Sequence, residues 1–341
     1  MSNHTGQKLA FIFEQCETKG NYPLERLLIL YNLFDELERF LYIKTTNDTA
    51  ISLCESYNVS PIIYERLEEV ARSIRNLQID TIIQDGKNMP YDQVEKLKPF
   101  CQTYIQFDNF LEGHMLADFN LFTFTDELLD FQAPNALIGS HCFALPKSYA
   151  DLRQPAVNEP FELPHIAILF EDGDSNNLTY RTMRHLTQLH IPVQISIMIT
   201  DEYQHPTDEL QMMLLSRKNT RLVKNADIPK ALQDVSIVIG NANYTPFKIA
   251  SLGIPYIALA QNEHELGNSG VKEENGFIHL GLGRKIKQST LQNAVMELLL
   301  HEERSARAKK RQNKLAVYQN NEILQTLITE LINGQPKLTF L

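Results

Sequence analysis

Residues 234–255, DVSIVIGNANYTPFKIASLGIP, decide the fold class that the sequence predicts. The apolar run at 237–239 predicts a buried strand, which is followed by a polar turn, a short helix and a second strand. Nucleotide sites are commonly built on such units, because backbone N–H groups at the turn bind phosphate. The turn from Gly240 to Thr245 has one glycine where a diphosphate cradle usually has two or more. The segment therefore indicates a fold more firmly than a reaction.

The same alternation of strands and helices extends along the chain in both directions. Strands are predicted at 9–13, 41–45, 79–83, 103–107, 165–170, 192–199, 220–223, 237–239 and 256–259. Helices are predicted between them at 23–40, 63–77, 91–98, 178–189, 208–215 and 228–233. This order predicts an α/β protein with mainly parallel, doubly wound sheets covered by helices on both faces. Ligands of such sheets bind beyond the carboxyl ends of the strands.

Four prolines without sustained periodicity mark a connection between two lobes, namely Pro146, Pro155, Pro160 and Pro164. We therefore expect an N-terminal lobe at 1–145, a linker at 146–164 and a C-terminal lobe at 165–341. The second lobe is predicted to end in a long helical tail at 289–332, whose apolar residues recur at helical spacing.

Composition excludes several classes of protein. The 341 residues are 43% hydrophobic and 22% charged, which suits two domains of about 150 residues. The chain has no apolar run of about 18 residues and no signal-peptide pattern at its start, so we expect a cytoplasmic protein without an integral membrane segment. The formal charge of −10 argues against a nucleic-acid partner. The four cysteines lack metal-site spacing, and neither a metal nor a cofactor is predicted.

One basic run, RSARAKKR at 304–311, stands out within the predicted tail. It suggests a contact with phosphate or nucleic acid. A solvated helix face is the favoured interpretation, because the cluster is local and the rest of the chain is acidic.

Two short motifs in the second half resemble a known family. Phe170 is followed by Asp174, Asn177 and Thr179 at the family's spacing, and residues 252–255 form its Leu-Gly-x-Pro element. With these residues the chain resembles the GT-B nucleotide-sugar proteins. The similarity is to UDP-sugar hydrolases of pseudaminic acid synthesis, spore-coat polysaccharide proteins and the C-terminal lobe of MurG-type glycosyltransferases.

The chain departs from that family at positions that bear on chemistry. The two family glycines after Phe170 are Glu171 and Asp172, and the family glutamate is Lys248. An ammonium group has donors only, so it cannot accept hydrogen bonds from ribose or substrate hydroxyls, although it can attract a phosphate. Asp172 and Asp174 also suggest a metal site, but a turn is the favoured interpretation of these residues.

The first lobe resembles the hydrolases at a turn before the first helix. Gly20 and Arg26 keep two positions of the family's Gly-x-Gly-His-x-x-Arg pattern, whereas the histidine position is Pro23. Proline has no side-chain proton acceptor, so it cannot act as an acid or a base. Glu14 and Glu25 are candidate replacements, although acids beside a helix start are more often dipole partners.

The resemblance implies a GT-B-like fold of two Rossmann-like lobes facing a cleft. It implies a protein of bacterial surface-glycan and polysaccharide biosynthesis that binds a nucleotide-activated sugar, with a UDP-sugar favoured, and transfers or hydrolyses it. The implied substrate contacts are Gly20, Arg26, Asp174, Asn177, Gly240, Asn241, Asn243, Tyr244, Thr245, Lys248 and Asn262.

His264 is the further catalytic candidate, because it follows Asn262 in a loop where the family places substrate contacts. Tyr244 and Phe247 can stack on a base or sugar, although aromatic residues at a helix start more often pack in the core. A different function also stays open. The replaced histidine, glycine and glutamate positions favour a non-catalytic GT-B relative, which serves as a binding or assembly module for a partner enzyme of glycan synthesis.

Overall fold

A computed structural model describes residues 6–16, 18–45, 47–125, 133–152, 163–224 and 227–334. The chain divides into two compact units. Unit 1 comprises Met1–Thr125, Leu129–Pro146 and Gln319–Leu341, and unit 2 comprises Asp126–Leu128 and Lys147–Tyr318. Of the predicted linker, Pro155 and Pro160 lie outside the described residues.

Thirteen β-strands occur in the described part of the chain. They are β1 (Lys8–Glu14), β2 (Glu38–Lys44), β3 (Ile62–Ile63), β4 (Thr81–Gly86), β5 (Thr103–Phe107), β6 (Phe119–Phe122), β7 (Ala136–Ile138), β8 (His165–Leu169), β9 (Gln194–Ile199), β10 (Thr220–Lys224), β11 (Ile237–Gly240), β12 (Tyr256–Ala260) and β13 (Phe277–Leu282). The nine predicted strands are confirmed, because each overlaps an observed one.

Thirteen α-helices accompany these strands within the same described ranges. They are α1 (Tyr22–Leu33), α2 (Asp48–Ser56), α3 (Leu67–Leu77), α4 (Tyr91–Glu95), α5 (Lys147–Ala150), α6 (Leu178–Leu186), α7 (Asp208–Ser216), α8 (Ile228–Ala231), α9 (Thr245–Ser251), α10 (Glu263–Leu266), α11 (Gln288–Leu300), α12 (Glu302–Lys314) and α13 (Asn320–Ile332). Within those ranges no helix has the length and apolarity needed to cross a membrane.

Each unit contains one sheet whose strands are all parallel. The order in unit 1 is β3-β2-β1-β4-β5-β6-β7, and the order in unit 2 is β10-β9-β8-β11-β12-β13. Chain order reverses between β1 and β4 in the first sheet and between β8 and β11 in the second. The predicted doubly wound parallel sheets are thereby confirmed, and each has a topological switch point at its carboxyl edge.

The central strands of unit 2 form because their side chains are almost uniformly apolar. All four residues of β11 and all five of β12 are buried. Such runs suit strands that are covered on both faces. On one side of this sheet, apolar residues of β8, β9, β11 and β12 share a core with α6 and α11.

The helical tail differs from the prediction in two ways. It is three helices instead of one, because His301 is extended and Ala316 has a left-handed backbone with φ 49°. The last helix, α13, belongs to unit 1, although the predicted second lobe extended to residue 341. Its Leu324, Leu327 and Ile328 lie in one apolar core with residues of α1 and β1.

Candidate functional site

Three chain segments meet at the carboxyl edge of the unit 2 sheet. Residues 171–174 follow β8, residues 241–245 follow β11, and residues 261–265 follow β12. Because β8, β11 and β12 are neighbouring parallel strands, these segments lie side by side at the switch point. This carboxyl edge is the candidate site of unit 2.

Glu171 connects the first segment to the helix that follows β11. Its Oε2 accepts a hydrogen bond from the Thr245 hydroxyl at 2.6 Å and lies 3.4 Å from Lys248 Nζ. The side chains of Lys248 and Glu171 are 10% and 16% exposed, so this ion pair is largely shielded from water. The lysine that the sequence singled out is therefore held beside a carboxylate.

Asp172 holds the turn after β11. Its Oδ2 lies 3.4 Å from Asn241 Nδ2 and 3.2 Å from Asn243 Nδ2, and both amides donate to it. Burial raises the pKa of Asp172 well above its usual range, and the negative charges of Glu171, Glu202 and Glu265 add to the shift.

Glu265 joins the loops that follow β11 and β12. Its side chain is buried, and Oε2 accepts hydrogen bonds from the backbone N–H of Ala242 at 3.0 Å and of Gln261 at 2.9 Å. Burial raises the pKa of this carboxyl to about 7, although the hydrogen bonds from Gln261 and Ala242 oppose the shift. Glu265 is thus a positioning residue with a carboxyl group that titrates near neutral pH.

Asp174 and Asn177 are used at the start of α6. The two carboxylate oxygens of Asp174 accept hydrogen bonds from the backbone N–H of Leu178 at 2.7 Å and Thr179 at 2.8 Å. Residues 172–174 form a 3₁₀ turn with Gly173 at φ 81°, so the turn interpretation is confirmed. The Asn177 side chain accepts a hydrogen bond from the Tyr203 hydroxyl at 2.8 Å. The part of the chain that is described contains no cluster of three potential metal ligands.

The turn after β11 is packed instead of open. Its side chains at Asn241, Asn243, Tyr244 and Thr245 are each at most 1% exposed. Gly240 allows close packing here, because a Cβ at this position would lie 2.1 Å from Leu169 O and 2.4 Å from Tyr256 Oη. The predicted contacts of this turn are thus brought together, but their side chains face the protein interior.

The third segment holds the two remaining predicted residues of unit 2. Asn262 caps α10, because its Oδ1 accepts a hydrogen bond from Glu265 N at 3.0 Å. His264 lies within α10 and is half-buried. Phe247 packs edge-on against Phe277 with ring centroids 6.0 Å apart, as the core interpretation predicted.

Arg26, which the sequence predicted to contact substrate, is fully buried in unit 1. Its Nε donates to Asp85 and its Nη2 to Asp108, each at 2.7 Å, and Nη1 donates to Thr123 Oγ1 at 2.7 Å. The guanidinium also lies 4.2 Å from the centre of the Phe107 ring. Because both carboxylates are buried with it, the arginine serves this network and has no exposed surface for a phosphate.

The other predicted residues of unit 1 lie around the same sheet edge. Glu14 ends β1 and pairs with Lys87 at 2.8 Å and Lys44 at 3.3 Å. Glu25 accepts a hydrogen bond from the Tyr57 hydroxyl at 3.3 Å. Gly20 has a left-handed φ of 64°, which glycine adopts without strain.

Sequence reasoning missed Lys19 and Glu265. Lys19 is buried, and its Nζ donates to Asp108 O at 2.6 Å, Gly86 O at 2.8 Å and Asn88 Oδ1 at 2.9 Å. A signal existed for Glu265, since it lies five residues after a buried strand in a predicted ligand loop. No local signal marked Lys19, because its partners come from other strands.

Comparison with known sequences gives one informative relative. No family model matches the chain. An uncharacterised protein of Methanocaldococcus jannaschii is 24% identical over 279 residues, which cover 75% of this chain and 56% of that protein. The chain therefore matches only about half the length of this curated relative.

Comparison with solved structures shows the fold. MurG of Acinetobacter baumannii has a TM-score of 0.65 at 13% identity, over 92% of this chain and 99% of that one. S. aureus MnaA, in a co-structure with UDP, has a TM-score of 0.66 at 10% identity, over 96% and 97% of the two chains. Glycosyltransferases and UDP-N-acetylglucosamine 2-epimerases are among the other similar structures. The chain has the GT-B fold, as its resemblance predicted.

Proposed function

We propose that this protein binds a nucleotide-activated sugar, with a UDP-sugar as the first candidate, at the carboxyl edge of the unit 2 sheet. One observation carries the proposal: the segments after β8, β11 and β12 converge at the topological switch point. Ligands of doubly wound sheets bind at such points. The co-structure of MnaA with UDP, which has the same fold, supports a uridine nucleotide as ligand.

The polar groups at this edge can bind different parts of a nucleotide-activated sugar. Lys248 is the cation for the phosphate, and its 3.4 Å separation from Glu171 is long enough for a phosphate oxygen to compete for the ammonium group. The carboxylate of Glu171 can then accept hydrogen bonds from sugar or ribose hydroxyls. Asp172 and Glu265 hold the surrounding loops in place.

The acidic groups at this edge impose a cost on a bound diphosphate. Glu171 repels it, whereas the raised pKa values of Asp172 and Glu265 keep these carboxyls largely neutral below their pKa. We therefore propose that nucleotide binding strengthens as pH falls through about 7. The site is cytoplasmic in this proposal, where nucleotide-activated sugars are made.

We propose that the bound sugar is transferred or hydrolysed in bacterial surface-glycan synthesis. Lys248 would stabilise the leaving phosphate, and His264, which is half-buried in α10, is the acid–base candidate of this edge. Arg26 is left out of the proposed site because its guanidinium is buried among Asp85, Asp108 and Thr123.

A non-catalytic binding or assembly module is the second candidate function. The observation that favours it is the burial of Asn241, Asn243 and Thr245, whose side chains fill the turn where a phosphate would approach the backbone. Pro23 at the start of α1, in place of the family histidine, favours it as well. A partner enzyme of glycan synthesis would then supply the reaction.

A binding screen with UDP-, CMP-, GDP- and dTDP-sugars tests the proposal, followed by assays of sugar release and transfer. We expect a UDP-sugar to raise the melting temperature and Asn262→Ala to weaken that effect. If no nucleotide sugar changes the melting temperature at about 1 mM, where even weak ligands bind, the proposed site is wrong. Binding without turnover would favour the non-catalytic module.

A further inference from the structure

A cavity lies in unit 2 at the amino end of β13. It has a volume of about 400 Å³ and is bounded by β13, the loop at 268–275, the end of α11 and one face of α12. This size suits a small organic molecule. The basic run that the sequence singled out forms part of its wall.

The position of α12 is fixed by a close approach to Gly276. A Cβ at Gly276, whose φ is 88°, would lie 2.4 Å from Ala308 O. Gln312 Nε2 also donates to Gly276 O at 3.3 Å. Arg304, Arg307 and Arg311 are spaced three and four residues apart, so they share one face of the helix, and all three line the cavity.

The arginines differ in how they are held. Arg304 Nε lies 3.3 Å from Glu297, and Arg311 Nη1 donates to the backbone and side chain of Glu273 at 2.7 and 3.1 Å. Arg307 lies between them on the same face. Among the described residues it has no ion-pair or hydrogen-bond partner, so its guanidinium fork is available to a ligand.

The charge of the lining is positive. Four cations line the cavity, namely Lys272, Arg304, Arg307 and Arg311, against the two carboxylates of Glu273 and Glu297, so the formal charge is 4 − 2 = +2. This is opposite in sign to the net charge of the chain. An anion is therefore the ligand that the wall favours.

The remaining lining is largely apolar. Leu266, Ile278 and Ala308 line the cavity and are half-buried, so each leaves apolar surface facing it. An inorganic anion would leave this surface wet. A molecule with an apolar or aromatic body would cover it and remove that apolar area from water, which favours binding.

We propose that this cavity is a binding site for a small organic phosphate. The phosphate pairs with Arg307, with Arg304 beside it, and the apolar body lies on Leu266, Ile278 and Ala308. A guanidinium group suits this ligand because its planar fork binds two phosphate oxygens at once. The site is separate from the proposed nucleotide-sugar site and does not depend on it.

Calorimetric titration of the full chain with phenyl phosphate tests this proposal. We expect saturable binding of one equivalent, weakened about tenfold or more by Arg307→Gln, because a charge-assisted hydrogen bond is lost. Lys310→Gln is the matched control, since Lys310 is exposed on the same helix and does not line the cavity. The Lys310→Gln variant should bind phenyl phosphate with the affinity of the natural chain. Inorganic phosphate and benzoate should each bind more weakly than phenyl phosphate.

Four results would overturn the proposal. Three are the absence of saturable binding up to about 10 mM phenyl phosphate, equal affinity in Arg307→Gln and the natural chain, and equal affinity for inorganic and phenyl phosphate. The fourth comes from a titration of Lys248→Gln. Unchanged phenyl phosphate binding in that variant supports a separate site, whereas loss of binding would place the ligand at the carboxyl edge and reject the cavity.

Discussion

The carboxyl edges of the two sheets have the same topology but hold their buried carboxyl groups in different ways. In unit 1, the buried cations Arg26 and Lys19 lie among the carboxylates of Asp85 and Asp108. In unit 2, Lys248 accompanies three acids, Glu171, Asp172 and Glu265. In the first edge both carboxylates bind Arg26, and burial raises the pKa of Asp85 despite this pairing. In the second edge Lys248 pairs with Glu171, whereas burial raises the pKa values of Asp172 and Glu265.

This difference separates a structural edge from an adaptable one. A buried ion pair must keep both partners, because removal of one leaves an uncompensated charge in a medium of low dielectric constant. A carboxyl with a raised pKa can instead gain or lose its proton as conditions or ligands change. The comparison therefore favours the edge of unit 2 as the proposed ligand site.

The largest expected effect comes from breaking the charge balance of unit 1. Arg26→Met leaves Asp85 and Asp108 buried without their main cation, so we expect the free energy of unfolding to fall by about 3–5 kcal/mol. Denaturant unfolding measures it. Arg66→Met is the control, because Arg66 pairs with Glu69 at the surface and its side chain is 73% exposed. If the free energy of unfolding falls by a similar amount in both variants, the buried carboxylates of Asp85 and Asp108 do not depend on Arg26 as predicted.

The raised pKa of Glu265 in unit 2 can be tested through the pH dependence of stability. Glu265 keeps its proton to about pH 7 in the folded state and to about its ordinary value of 4.5 when unfolded. The folded state therefore binds more protons between these values, and the free energy of unfolding falls as pH rises through them, by about 3 kcal/mol from this residue.

Glu265→Gln should flatten that decline, because an amide does not titrate and its oxygen can still accept from Ala242 and Gln261. Denaturant unfolding at several pH values between about 4 and 8 measures the slope. The exposed neighbour Glu263 provides the control, and Glu263→Gln should leave the slope unchanged. An unchanged slope in Glu265→Gln would show that protonation of Glu265 does not contribute to the pH dependence of stability.

Removal of Lys248, the cation at the carboxyl edge of unit 2, tests the comparison through ligand binding. Lys248→Gln should weaken UDP binding about tenfold, because one charge-assisted contact to phosphate is lost. Calorimetry measures the affinity. Lys230→Gln is the matched control, since Lys230 pairs with Asp227 at the surface of the same unit and lies 68% exposed. Equal affinities in the two variants would remove Lys248 from the site.

The smallest expected effect is that of Asp174, which caps a helix, whereas Glu171, Asp172 and Glu265 connect the loops of the carboxyl edge. Asp174→Ala removes the cap of α6, so we expect the free energy of unfolding to fall by about 1–2 kcal/mol. Asp227→Ala, at an exposed cap whose hydrogen bond is 3.5 Å long, should cost less. A change in UDP affinity beyond that explained by stability would show that Asp174 contacts the ligand.

The sequence predicted what depends on local pattern. The run Ile237–Gly240 is apolar throughout, and its strand, the following helix and the parallel sheet were all predicted from it. The environment of Arg26 was not predictable, because Asp85 and Asp108 are 59 and 82 residues away along the chain. Gly240 is predicted as a substrate contact, and in the structure its lack of a side chain allows the close approach of Leu169 and Tyr256.

The placement of α13 bears on how the chain is made. Unit 1 buries Leu324, Leu327 and Ile328 against α1 and β1, yet a ribosome delivers these residues only after all of unit 2. At about 5–20 residues per second, the apolar surface of α1 waits about 15–60 s for its last partner. During synthesis unit 2 can fold first, while the earlier-made unit 1 depends on chaperones or on transient cover for the groove that α13 will fill.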